Sequence, residues 1–246
     1  MTEEQLKVAN AHLGHHMEVF GYKTPNIEFH QGVIEDLKSL SIADNSVDVV
    51  VSNCVINLST NKEKVFSEIF RVLKPGGELY FSDIFVDRRI PDDLQHDPVL
   101  YGECLSGALY TEDFRRMLRK IGCNDVRTTS SSVLEVHDPQ IRKKLGDIIF
   151  YSSTVRAFNA DFEDKCEDFG HNATYLGTIA DAPDKFTLDD HHVFAKGKEV
   201  PVCGNTALML SETRYGSHFK VQGDFSVHKG LFQECGELEL SSGSCC

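Results

Sequence analysis

Asp48-Val49-Val50-Val51-Ser52-Asn53-Cys54-Val55-Ile56-Asn57-Leu58 is the stretch that decides the fold. Val47 and Val49 to Val51 are β-branched and apolar, the pattern of a strand buried on both faces. The run turns polar at Ser52-Asn53-Cys54, which sets a strand end and a loop there. In open α/β sheets, ligands bind outside that end of the strands. Cys54 therefore stands where a side chain can do chemistry. The competing reading of the same residue is a small apolar filler.

Working outward, residues 3 to 20 carry Leu6, Val8, Ala9, Leu13, Met17 and Phe20 near helical spacing. Thr2 and Gln5 have the spacing of a capping box, and Gly21 suits the helix end. Ile27 and Phe29 flank Glu28 as a short alternating strand, and Asp44-Asn45-Ser46 reads as a turn. Downstream, Val65, Phe66, Ile69, Val72 and Leu73 form the apolar stripe of a helix over 61–73, which Lys74-Pro75-Gly76-Gly77 ends. A strand is expected over 78–86, then a polar start and a helix within 91–109. Thr111 reads as the N-cap of a helix over 112–121. Cys123 follows in an apolar-flanked joint, as a buried thiol would. A strand over 126–136, a short helix from Pro139 to Gly146 and a strand over 148–158 complete the regular part. Strands alternating with helices predict a parallel, doubly wound α/β sheet. Beyond residue 160 the pattern weakens into a smaller, irregular α+β region. The expected divisions are 1–135, 136–240 and a flexible Cys-rich tail over 241–246.

The chain has 38 acidic and 25 basic residues, a net charge of −13. Such a surface repels phosphate backbones, and no Lys/Arg stripe offsets it, so nucleic acid is not an expected partner. No apolar run reaches the ~20 residues that span a bilayer, and no leader opens the chain, so no membrane association and a cytosolic location are expected. The cysteines are then mostly thiols. None forms a CxxC or a Cys/His pair at zinc spacing. His15-His16 and His191-His192 are adjacent pairs that point to different faces, which argues against metal binding. The acidic run from Asp161 to Asp168 reads as a solvated loop.

Three ordered segments resemble the class I S-adenosylmethionine (SAM) methyltransferases: Gly32-Val33-Ile34-Glu35, Asp44 to Asn53, and Leu73-Lys74-Pro75-Gly76-Gly77-Glu78-Leu79-Tyr80. Val51 to Leu58, Gly76 to Asp83 and Gly102-Glu103-Cys104-Leu105-Ser106-Gly107-Ala108-Leu109-Tyr110 are similar to the arsenite methyltransferases. The resemblance covers the first 160 residues well and continues loosely to about residue 200. It implies that thiolates hold trivalent arsenic, whose lone pair attacks the SAM methyl group while S-adenosylhomocysteine leaves. Thiol reductants, glutathione or thioredoxin, are the implied partners beside arsenite. Soft arsenic(III) suits soft thiolate ligands, and a lowered cysteine pKa would keep thiolate available. By resemblance Cys54 is catalytic and an arsenic ligand, and Asn53 lies near the cofactor. Ile34 and Glu35 lie at the adenine, with Glu35 a candidate acceptor for its amino group. From the residues alone, Glu35 reads equally well as a solvated helix-start charge; Asp83, at a strand end, is open to a catalytic reading but reads first as a buried turn-capping carboxylate. Residues 136–240 would form the substrate-binding region.

The chain also departs from that family. The Gly-rich turn that brings backbone against SAM has no counterpart, and Met1-Thr2 stands where the family has an internal Met-Thr pair. The sequence therefore reads as an incomplete, N-terminally truncated doubly wound sheet with an exposed edge. The expectations are weak or absent SAM binding and a tendency to associate. Gly146-Asp147-Ile148 stands where the resemblance implies Gly-Asp-Cys, and isoleucine cannot ligate arsenic. Cys104 or Cys166 could substitute, although Cys104 reads first as a packed helix residue. Two further readings stay open: an inactive homologue that binds metalloids or a protein partner, and a methyltransferase for another small acceptor.

Overall fold

The computed structural model describes residues 2–233; the Cys-rich tail expected over 241–246 lies outside them. Helix α1 (Glu3–Phe20) begins with the expected capping box. Gln5 N–H donates to Thr2 Oγ1 at 3.3 Å, and Thr2 N–H donates to Gln5 Oε1 at 2.9 Å. Gly21 closes the helix with φ 73°, a left-handed angle that costs glycine nothing. No residue of α1 is buried. Ala9, Leu13, Met17, Tyr22, Ile27 and Phe29 line an apolar gap of about 540 Å³. The strand expected around Ile27 and Phe29 is absent, and residues 25–31 carry no regular structure. Alternation alone cannot make a strand where no neighbour completes the ladder.

The sheet is built from β1 (Val47–Asn53), β2 (Leu73–Val86), β3 (Leu109–Tyr110), β4 (Val126–Val133) and β5 (Phe150–Phe158). Between them lie α2 (Lys62–Val72), the short α3 (Asp92–Gln95) and α4 (Pro98–Gly102), α5 (Thr111–Lys120) and α6 (Pro139–Leu145). The strand order is β1-β2-β5-β4, with β3 also paired to β2. β1 and β3 run parallel to β2, whereas β2/β5 and β5/β4 are antiparallel. The sheet is thus α/β as expected but mixed. It continues through Phe158, past the division expected at 135/136. Residues 74–77, expected to end the preceding helix, bulge out of β2 opposite Asp48, where the register jumps between Val47 and Val49. Gly76 sits there at φ 75°.

β1 corrects the expectation of a strand buried on both faces. Among the described residues it pairs with β2 alone, and Val51 is 72% exposed. Burial needs neighbours on the outer edge and over the outer face, which local composition cannot report. The other face of the sheet is well covered. Phe66 of α2, Phe114 of α5 and Phe81 and Phe85 of β2 pack with ring centroids 5.3–6.0 Å apart. Cys123 is buried in the same cluster, as expected, and burial pushes its thiol up to about 12.

The C-terminal region has more order than its composition suggests. β6 (His171–Tyr175), β9 (Glu199–Val202) and β10 (Phe219–Gln222) form a three-stranded sheet, and β7 (Lys185–Thr187) and β8 (Val193–Ala195) a hairpin. α7 (Gly204–Ser211) completes a core of Tyr175, Phe186, Phe194, Met209, Leu210 and Phe219. Two buried ionic networks join this region to the sheet. Arg127 of β4 is bidentate to Asp125 at 2.6 and 2.8 Å and reaches Asp189 at 2.9 Å. Glu78 of β2 pairs with Arg156 of β5 at 2.8 Å and with Arg214 at 2.6 Å. Glu78, Arg127, Arg156, Asp125 and Asp189 are all buried, a placement tolerable only when the charges are paired.

Candidate active site

Both β1 and β3 lie on one edge of β2. β1 leaves that edge after pairing Asn53 with Ser82, and β3 joins it at Phe85. Asp83 and Ile84 form the gap between them. The 3₁₀ turn Ile56–Leu58 fills this gap. Asn57 Nδ2 donates to the Ile84 carbonyl at 2.7 Å, and Asn57 N–H donates to Asp83 Oδ2 at 3.2 Å. Asp83 Oδ1 accepts from Ile84 N–H at 2.9 Å. The buried carboxylate thus caps a turn, as the sequence suggested. Burial pushes the Asp83 carboxyl up, against the backbone N–H groups and the Lys62 ammonium that favour its ionised form.

Cys54 lies at the mouth of this gap. Its N–H makes the last bond to β2, donating to the Ser82 carbonyl at 2.9 Å, and its thiol leans on Asn53 Oδ1 at 3.4 Å. The thiol is exposed. Cys104 arrives from the other side. It follows α4, outside the helix to which packing was expected to confine it, and is half-buried. Gly107 lets that segment press on the turn, since a Cβ there would strike the Asn57 carbonyl oxygen. Tyr101 ties the two further, donating from its hydroxyl to the Leu58 carbonyl at 3.0 Å. Both cysteines hold left-handed backbone, φ 52° at Cys54 and 58° at Cys104. Such angles cost non-glycine residues free energy, and they cluster at functional sites. Ser41 and Asn45 share them, but those two close ordinary turns. No sequence signal other than the flanking glycines announces where Cys104 goes.

The electrostatics correct one expectation. The Cys54 thiol is pushed up, not down: first by burial, then by the Asp83 charge and the nearby Cys104. At neutral pH it is held as a thiol. Glu35 is neither free nor simply solvated, because Ser59 donates its hydroxyl to Glu35 Oε1 at 2.5 Å. Ile34 packs against the main core, and Asn53 is exposed at the strand end. Ile148 packs with the apolar cluster around Leu100, Leu105 and Phe150. Cys166 is disulfide-bonded. Among the described residues no group of His, Cys, Asp and Glu is arranged to hold a metal ion, and no helix is long and apolar enough to cross a membrane.

The fold and this strand-end site define a class I SAM-dependent methyltransferase. Residues 1–122 match the model of a methyltransferase domain, and residues 170–244 match that of the arsenite methyltransferase C-terminal domain. An arsenite methyltransferase from Aquipseudomonas alcaligenes is 53% identical over 96% of this chain and 68% of its own length. The human arsenite methyltransferase is 34% identical over 100% of this chain and 62% of its own. The crystal structure of an arsenic(III) SAM methyltransferase from Chlamydomonas reinhardtii superposes with a TM-score of 0.91 at 46% identity, covering 94% of this chain and 78% of that one. The chain belongs to the arsenite methyltransferase family. It spans roughly three-fifths to two-thirds of the length of these curated relatives.

Proposed function

We propose that this chain takes part in the SAM-dependent methylation of arsenite and that Cys54 and Cys104 hold the arsenic together. One observation carries the reading: at this strand end two cysteines from separate segments lie within electrostatic reach of each other, each on strained left-handed backbone. Arsenous acid has three hydroxides. Each thiol replaces one: an As–S bond forms, the S–H bond breaks, and the proton leaves with the hydroxide as water. A thiol pushed upward therefore loses nothing as a ligand, and its conjugate thiolate is the more electron-rich donor. Two S–As bonds leave the arsenic lone pair fixed in direction, which supplies the orientation that a methyl transfer needs. Thiols such as glutathione or thioredoxin would keep the site reduced in the cytosol.

SAM, when bound, supplies the electrophilic methyl carbon. The side chains present fit one edge of it. Glu35 keeps Oε2 for an amino group while Ser59 occupies Oε1. Ile34 offers an apolar face, and Asn53 a polar contact next to Cys54. Because these residues form a single wall, we expect this chain to bind SAM more weakly than ~1 μM. A calorimetric titration reads that directly; micromolar or tighter binding contradicts it. For the thiol pair, arsenite binding should weaken by ~100-fold or more in Cys54→Ser and in Cys104→Ser, since each variant reduces two As–S bonds to one. Undiminished binding in either variant removes that residue from the site.

A further inference from the structure

The thiols themselves do not explain why their two segments are held beside each other, within electrostatic reach. Cys54 and Cys104 come from segments with no direct backbone bond between them; what lies between is the 3₁₀ turn. This turn occupies the two-residue gap on the edge of β2, where neither β1 nor β3 supplies a ladder partner. Asp83, at the centre of the gap, is 2% exposed and takes the Asn57 N–H on one oxygen and the Ile84 N–H on the other. Lys62, whose ammonium donates to the Ser59 carbonyl at 2.9 Å, adds the balancing charge. On the turn's opposite side, the Asn57 carbonyl abuts Gly107 and the Leu58 carbonyl accepts from Tyr101. The path is continuous: β2, Asp83, Asn57, Gly107, and three residues back, Cys104.

We propose that Asp83 is a positioning residue which, through Asn57, sets the spacing of Cys54 and Cys104 so that they act as one chelate. The inference rests on the reading of these two cysteines as a pair. Asp83 touches neither arsenic nor cofactor. A buried carboxylate is used because charge-assisted bonds to backbone N–H are stronger than neutral ones, and because the gap leaves those N–H groups without ladder partners. Asn57 closes the rest of the gap by giving Nδ2 to the Ile84 carbonyl that a strand would otherwise satisfy.

Phenylarsine oxide, which two correctly spaced thiols chelate and one thiol holds weakly, is the probe. It is titrated into the full chain carrying Cys245→Ser and Cys246→Ser, which removes the adjacent pair at the C-terminus. Asp83→Ala should weaken its binding by about 10- to 100-fold, the range for a lost hydrogen bond to a charged group. Alkylation of Cys54 by iodoacetamide, which needs a single thiol, should be undiminished in the same protein, and Cys123, buried in the sheet core, should stay unalkylated; a general loosening of structure would expose it. Asp83→Asn keeps a carbonyl oxygen for the Asn57 N–H and should restore most of the chelation. Tyr101→Phe, which removes one hydroxyl at an exposed site, should weaken chelation by a few-fold through the same turn even if Asp83→Ala fails to fold. The proposal is overturned if chelation is lost in Cys54→Ser but unchanged in Asp83→Ala, or, where that variant does not fold, unchanged in Tyr101→Phe. Chelation that persists in Cys54→Ser or Cys104→Ser overturns the pairing of the cysteines and this inference with it.

Discussion

The two gaps that this fold must bridge are handled in opposite ways. At the junction between the sheet and the C-terminal region, Arg127 and Glu78 are buried, and their partners hold them in ion pairs of 2.6–2.9 Å. At the end of β1, Cys54 is exposed and Cys104 half-buried, both on strained backbone. Asn57 Oδ1 and Ser106 Oγ are buried there with neither a hydrogen-bond partner nor a counter-charge, whereas Glu78 Oε1 and Arg156 Nε, which also lack a well-aligned hydrogen bond, face each other as an ion pair at 2.8 Å. The first junction spends its polar groups on holding the structure together, and the second leaves them poised. Stability and chemistry are therefore assigned to different ends of the same sheet, which makes them separable by mutation.

The largest expected effect tests that separation from the chemical side. Cys54→Ser should lower arsenite binding by ~100-fold or more while shifting the melting temperature by less than ~2 °C, because an exposed side chain contributes little to packing. A large loss of thermal stability would mean the two ends are not independent. From the structural side, Arg127→Leu strands two buried carboxylates, Asp125 and Asp189. It should cost about 3–5 kcal/mol in denaturant unfolding, with chelation at the thiols intact in the fraction that stays folded. A smaller effect lies between the two ends. Arg71 hydrogen-bonds Glu68 and holds its carboxyl down at about 2, while Glu68 accepts the Lys38 N–H. A depressed carboxyl stabilises the fold above its unfolded value of ~4.3, and that contribution disappears as pH falls toward 2. Melting scans from pH 6 to 2 should therefore decline less steeply in Glu68→Gln than in the parent. Smallest of all, Asp83→Asn removes a charge that pushes the Cys54 thiol up. The thiol should then titrate lower, and its alkylation at pH 7.5 should run a few-fold faster; a slower rate would contradict the assigned electrostatics.

Local features of the fold were legible in the sequence because local physics sets them. The capping box at Thr2 and Gln5, the stripe of α2, and the helix from Pro139 follow from side-chain spacing and chain stiffness. Cys54 at a strand end was legible for the same reason. Other features depend on what comes near. Val51 has the chemistry of a core residue and lies in the open because β1 has one described neighbour. Cys104 looks like a helix residue, but a left-handed turn after α4 and the missing Cβ of Gly107 bring it toward Cys54. Ile148 belongs to an apolar cluster, whereas the segment Gly102 to Tyr110 is the one that packs on the turn after Cys54. Glu78 is unremarkable in sequence because Arg156 and Arg214 lie far along the chain, and of Arg127's partners only Asp125 is near it in sequence, with Asp189 sixty-two residues on.

The ionic junction also bears on how such proteins can be recombined. The methyltransferase and C-terminal family models match separate stretches, which suggests interchangeable modules. Yet Glu78, Arg127 and Arg156 belong to the sheet, while Asp189, Arg214 and Tyr215, which satisfy them, belong to the C-terminal region. A sheet grafted onto a different C-terminal region would bury charges without counterparts. The two pieces must therefore be inherited, exchanged or engineered as a matched set.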